Sequence, residues 1–115
     1  GLTDGVPATL SPAAITGLLR GDLAFDGVVV TDDLAMGAVA DLVDVATAAR
    51  LALIAGADLL MIGGLANVVP AAWGLMAALD DGSLDERWLD EAVERVLALR
   101  NVNPCTLMSS PHDGG

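Results

Sequence analysis

Hydrophobic and polar positions follow two regimes along this chain, and the change between them predicts its elements. Val28-Val29-Val30-Thr31 and Leu59-Leu60-Met61-Ile62 are aliphatic runs without polar alternation, the pattern of strands buried on both faces in a parallel sheet. Elsewhere the spacing is helical. Ser11-Pro12 pairs a capping side chain with proline at the first helical position, and Leu10 and Ile15 are placed for a hydrophobic staple. That helix is predicted to end near Arg20, with Gly21 supplying a left-handed turn. An alanine-rich helix over about 44–55 is closed by Gly56, and another over about 67–79 breaks at Asp80-Asp81-Gly82. Ser83-Leu84-Asp85-Glu86 reads as a capping box, after which Leu84, Trp88, Ala92, Val96 and Leu99 recur at helical spacing to about Arg100.

The predicted order is α-β-α-β-α-α, which implies an α/β fold class built from consecutive right-handed βα units in a parallel sheet. Two strands do not make a sheet that stands alone. Fully burying a Val, Leu or Ile gains roughly 1.5–3 kcal/mol, while ordering each backbone residue costs about 1–2 kcal/mol. More strands are therefore expected upstream, and the isolated chain is expected to self-associate through its incomplete sheet. The domain spans residues 1–100; the Pro/Ser/Gly-rich stretch 101–115 is expected to be a disordered tail.

Composition narrows the function classes. The chain has 115 residues, enough for one core and about half of an eight-stranded βα barrel. Sixteen acidic against 5 basic residues give a formal charge of −11, which repels phosphate backbones and anionic lipid surfaces, so nucleic acid is a poor partner. One cysteine, Cys105, allows no internal disulfide, and no Cys/His cluster has zinc spacing, so neither metal nor cofactor is expected. Residues 59–79 carry no charge, which meets the length of a membrane span. Gly63-Gly64 and Pro70 interrupt that run and only aspartates flank it, so no span is expected. The chain starts Gly1-Leu2-Thr3 without Met or a basic apolar leader, which reads as an internal start.

The candidate chemistry lies where carboxylates follow the first buried run, at Thr31-Asp32-Asp33-Leu34-Ala35-Met36. In βα barrels the C-terminal ends of the strands form the reactive face. An Asp there can equally cap the next turn or helix, and Asp26 before Gly27 is more simply a turn residue. Successive strand residues face opposite ways, so at most one of Asp32 and Asp33 acts on a substrate. The other serves better as a turn or supporting acceptor. A divalent cation between them would want more converging oxygens than the pair supplies.

Taken together, Pro7-Ala8-Thr9-Leu10-Ser11-Pro12, Leu18-Leu19-Arg20 and the run from Phe25-Asp26-Gly27 through Asp32-Asp33-Leu34-Ala35-Met36 resemble the seventh-strand region of glycoside hydrolase family 3, in its β-N-acetylhexosaminidase branch. The resemblance continues through Ala55-Gly56-Ala57-Asp58 to Val93-Glu94-Arg95-Val96-Leu97 and covers roughly 6–100. It implies the C-terminal part of a TIM-type (β/α)8 barrel, about strands seven and eight. It also implies a retaining glycosidase whose nucleophile is Asp32, with Asp33 and Met36 in support and Met36 packing under the pocket. The substrate implied is a carbohydrate with terminal N-acetylhexosamine, of peptidoglycan or chitooligosaccharide type; the compartment stays open between cytoplasm and cell envelope. The family's proton-donating His/Asp loop has no match, since the one histidine, His112, lies in the tail. The isolated chain is therefore expected to be inactive.

Other readings stay open, among them a fragment of another family 3 β-glycosidase or of a phosphate-binding barrel enzyme. Gly63-Gly64 between a strand and a helix could bind phosphate through backbone N–H groups, or simply permit a tight turn. Trp73 and Trp88 could stack on sugars, although helical spacing among apolar neighbours favours packing. A non-catalytic module completed by a second chain is the remaining class.

Overall fold

The computed structural model describes residues 3–101 and Cys105. The expected tail, His112 included, lies otherwise outside the described residues. Helix α1 (Ala13–Asp22) is followed by the short α2 (Gly37–Ala40), then α3 (Val45–Ala55), α4 (Leu65–Asp81) and α5 (Glu86–Leu99). A 3-10 turn, Ala8–Leu10, precedes them.

The expected α/β architecture, with two strands of a TIM-type barrel, is not what this chain forms. Among the described residues there is no strand; one isolated parallel bridge joins Val30 to Leu59. Pairing stops for a local reason. The Leu59 N–H donates to the Val29 carbonyl at 3.1 Å and the Thr31 N–H to the Leu59 carbonyl at 3.0 Å, but the next donor, the Met61 N–H, goes to the Thr31 hydroxyl at 2.9 Å. A side chain thus takes the place of the next ladder acceptor. Val30 and Met61 are also left 52% and 51% exposed, so the doubly buried setting read from their apolar runs is absent. Sheet propensity depends on neighbours, and among the described residues neither run has a further strand to pair with, although Val29, Leu60 and Ile62 pack against the main core.

The helices follow local sequence more closely. Asp44 caps α3 by accepting from the Thr47 N–H at 2.8 Å, and Gly56 closes it in the left-handed conformation at φ 113°. A side chain at Gly56 would also press on Ile15 and Thr16, so glycine serves both turn and packing there. The Ser11 hydroxyl accepts from the Ala14 N–H at 3.3 Å, while Leu10 and Ile15 are buried in one core cluster. Helix α1 does not stop at Arg20. It runs to Asp22 in wide π-type turns, with the Leu23 N–H reaching back to the Leu18 carbonyl, and the left-handed residue is Ala24 rather than Gly21. The capping box at Ser83 is also displaced: Asp85 is the cap of α5, accepting from the Arg87 N–H at 2.9 Å.

The main core gathers Leu10, Ile15, Leu34 and Val39 around alanines of α3, whose small side chains let neighbouring elements approach closely. A second cluster joins Leu53, Ala78, Leu84 and Ala92, with Trp88 packed against it half-buried. Trp73, by contrast, is 66% exposed, which corrects the expectation that both tryptophans pack inside. No helix among the described residues is long and apolar enough to cross a membrane.

Candidate active site

Asp32 and Asp33 follow the first extended run where it turns toward α2. Asp32 is exposed, and its Oδ1 accepts the N–H of Asp33 at 2.8 Å. Asp33 does something different. Its Oδ1 accepts two amides, that of Ala35 at 2.9 Å and that of Gly63 at 2.7 Å, and so ties the turn to the loop after the second extended run. Leu34, 1% exposed, anchors the same turn and donates its N–H to the Met61 carbonyl at 3.0 Å.

A hollow of about 330 Å³ opens here, lined in part by Pro7, Thr9, Asp32, Asp33 and Met36. The structure therefore brings the three sequence-predicted site residues to one concavity. Met36 forms its rim, 66% exposed, rather than packing beneath it. Thr9 was not singled out from the sequence; the 3-10 turn Ala8–Leu10 places it here, and only its position in the Pro7-Ala8-Thr9 run hinted at it.

The loop Gly63-Gly64 is committed to internal contacts. The Gly63 N–H is held by Asp33, its carbonyl accepts from the Asn67 amide at 2.7 Å, and Gly64 turns the chain into α4 at φ 79°. A carboxylate already seated on this amide repels a phosphate from the same place, so the geometry favours the tight-turn reading over an anion cradle. Among the described residues no group of three or more His, Cys, Asp or Glu is placed to hold a metal ion.

A larger hollow, about 410 Å³, lies between α3 and α4 and includes Asp44, Thr47, Arg50, Asp81 and Ser83. Both carboxylates are engaged at helix ends, Asp44 by Thr47 and Asp81 by the Ser83 N–H at 2.8 Å. Hydrogen bonds to the ionised form hold both carboxyls below the ordinary aspartate range, chiefly from the Thr47 N–H for Asp44 and from the Ser83 side chain, then its N–H, for Asp81. The arrangement serves capping rather than chemistry.

Residues 2–99 match the family model described as the glycosyl hydrolase family 3 N terminal domain. The chain belongs to glycoside hydrolase family 3. Among curated relatives, a beta-hexosaminidase of Alkalilimnicola ehrlichii is 40% identical over 68 residues, covering 59% of this chain and 20% of its own length. A Cellulomonas fimi protein named beta-N-acetylglucosaminidase/beta-glucosidase is 31% identical over 97 residues, covering 84% of this chain and 17% of its own. The family 3 chain thus spans about a fifth of the length of these relatives. Among solved structures, a family 3 beta-N-acetylglucosaminidase from Paenibacillus sp. superposes with a TM-score of 0.80 at 43% identity, covering 84% of this chain and 18% of that one.

Proposed function

We propose that this chain supplies the nucleophile of a retaining β-N-acetylglucosaminidase that removes terminal N-acetylhexosamine from peptidoglycan- or chitooligosaccharide-type substrates. The observation that carries the reading is a difference between two adjacent carboxylates that both line the hollow: Asp33 accepts two backbone amides, one of them distant, while Asp32 is exposed and accepts only that of its neighbour Asp33. In this reaction an Asp32 oxygen bonds to the anomeric carbon as the glycosidic C–O bond breaks, and a donor outside the matched motif protonates the departing oxygen. Water then attacks the anomeric carbon, giving its proton back to that donor as the bond to Asp32 breaks, which releases the sugar and regenerates the carboxylate. Asp33 supports by fixing the turn, and Met36 shapes the rim.

The experiment is Asp32→Asn in the natural gene product that carries this chain, assayed on an aryl N-acetyl-β-glucosaminide, with a slow fluorinated donor used to trap and map the covalent adduct. Loss of turnover and an adduct on Asp32 are expected. Normal turnover, or an adduct on another residue, overturns the assignment. The 115-residue chain alone is expected to show no turnover, because loss of a general acid by itself costs on the order of 10²–10⁴ in rate; clear turnover by it would refute that part.

A second substrate reading has its own support, since the Cellulomonas fimi relative's name couples glucosaminidase with glucosidase. Comparing kcat/KM on aryl β-glucoside and aryl N-acetyl-β-glucosaminide decides between them. The exposed Val30, Leu59 and Met61 beside the lone bridge favour self-association of the isolated chain. A monomeric mass in solution at high concentration would exclude it.

A further inference from the structure

We infer that Asp33 is a positioning residue whose job is to accept hydrogen bonds rather than to carry charge: it latches the Gly63-Gly64 loop to the turn bearing Asp32. The inference rests on the reading of Asp32 as nucleophile.

Three observations converge. First, one oxygen, Asp33 Oδ1, receives both amides, one local at Ala35 and one 30 residues away at Gly63. Second, Gly63 is held from both sides, because its carbonyl takes the Asn67 side-chain amide at 2.7 Å from the first turn of α4. Third, a Cβ at position 63 would collide with the Asp33 carboxylate, so the close approach depends on glycine there. Asp32, Asp33, Gly63, Asn67 and α4 therefore form one mechanical chain, and Asp32 sits at its free end beside the hollow.

Asparagine keeps an oxygen in the place of Oδ1 and removes the charge. A latch tolerates that exchange; an acid, base or electrostatic partner does not. Two readouts separate the possibilities. In the natural gene product, the Gly63 amide proton should stay protected from exchange in wild type and in Asp33→Asn, and lose protection in Asp33→Ala. In the same protein, Asp33→Ala should lower kcat by about 10²-fold with KM little changed, as expected when a reacting group is displaced by about 1 Å, while Asp33→Asn recovers most of that loss. Gly63→Ala should reproduce the Asp33→Ala loss with the carboxylate intact.

Equal losses for Asn and Ala at position 33 would overturn the acceptor role. Unchanged Gly63 exchange in Asp33→Ala would overturn the latch. If Asp33→Ala does not fold, Asp33→Asn decides alone: retained protection and activity support the inference, and loss of either overturns it. Failure of the nucleophile reading shows differently, as a trapped adduct on another residue with the Gly63 exchange pattern preserved.

Discussion

Arg20 and Asp58 form a buried ion pair, Nη2 to Oδ2 at 2.6 Å, with the two side chains 11% and 0% exposed. Burying charge is costly unless the polar atoms find partners. Here each side-chain nitrogen of Arg20 and each carboxylate oxygen of Asp58 has at least one. Arg20 also donates to the Gly56 carbonyl and, at 2.9 Å, to that of Gly27, while Asp58 accepts the Val29 N–H at 2.9 Å and Arg95 on its other oxygen at 3.0 Å. One carboxylate thus joins α1, both extended runs and α5. The backbone frame that presents Asp32 hangs on this junction.

Removing Asp58 leaves two guanidinium groups without their shared partner, so Asp58→Ala should destabilise the chain by about 3–5 kcal/mol. Arg95→Ala should cost less, because Arg95 is 28% exposed and its partner keeps Arg20. Urea unfolding followed by circular dichroism measures both. A smaller loss for Asp58→Ala than for Arg95→Ala would contradict the junction.

That junction was not legible in the sequence. Arg20, Asp58 and Arg95 stand 38 and 37 residues apart, and nothing local announces that they meet. What was legible was local chemistry: the helix expected over about 44–55 and its Gly56 stop match α3, and Leu84 and Ala92 of the helical stripe are buried. Val96 is half-buried and Leu99 exposed, so the stripe outlasts its packing. The strands failed for the complementary reason. Val28 to Val30 and Leu59 to Ile62 have strand composition, but a ladder is a property of neighbours, and after one bridge the Thr31 hydroxyl intercepts the next amide. The π-type turns of α1 likewise leave no mark in its residue pattern. At the site, the sequence singled out Asp32 and Asp33, but not Gly63 as the distant donor to one of them.

Acid should weaken the start of α3. The Thr47 backbone N–H is the largest cause holding the Asp44 carboxyl below its ordinary range, followed by the Thr47 hydroxyl. A folded-state value below the unfolded one contributes stability above the unfolded value, and that contribution is lost as pH falls through the folded value. Asp44→Ala should therefore lower the Tm at about pH 7, with the gap to wild type closing toward about pH 2 as wild-type Asp44 is protonated. Thermal melts of both proteins across that range test it. A gap that persists or widens in acid would show that the side chain caps by something other than its charge.

Size does not decide which apolar residues hold this chain together. Trp73 is the bulkier side chain but stands 66% exposed, whereas Leu84 is 2% exposed in the cluster that docks α5. Truncating a buried leucine removes both its transfer energy and its packing, so Leu84→Ala should cost about 2–5 kcal/mol. Trp73→Gln, on a solvent-facing helical position with a residue of good helix propensity, should change stability by about 0.5 kcal/mol or less. Urea midpoints compared at one dilute concentration keep association out of the measurement. If Trp73→Gln were the more damaging of the two, the exposed face of α4 would have to be packed in solution, and the orientation of that helix described here would be wrong.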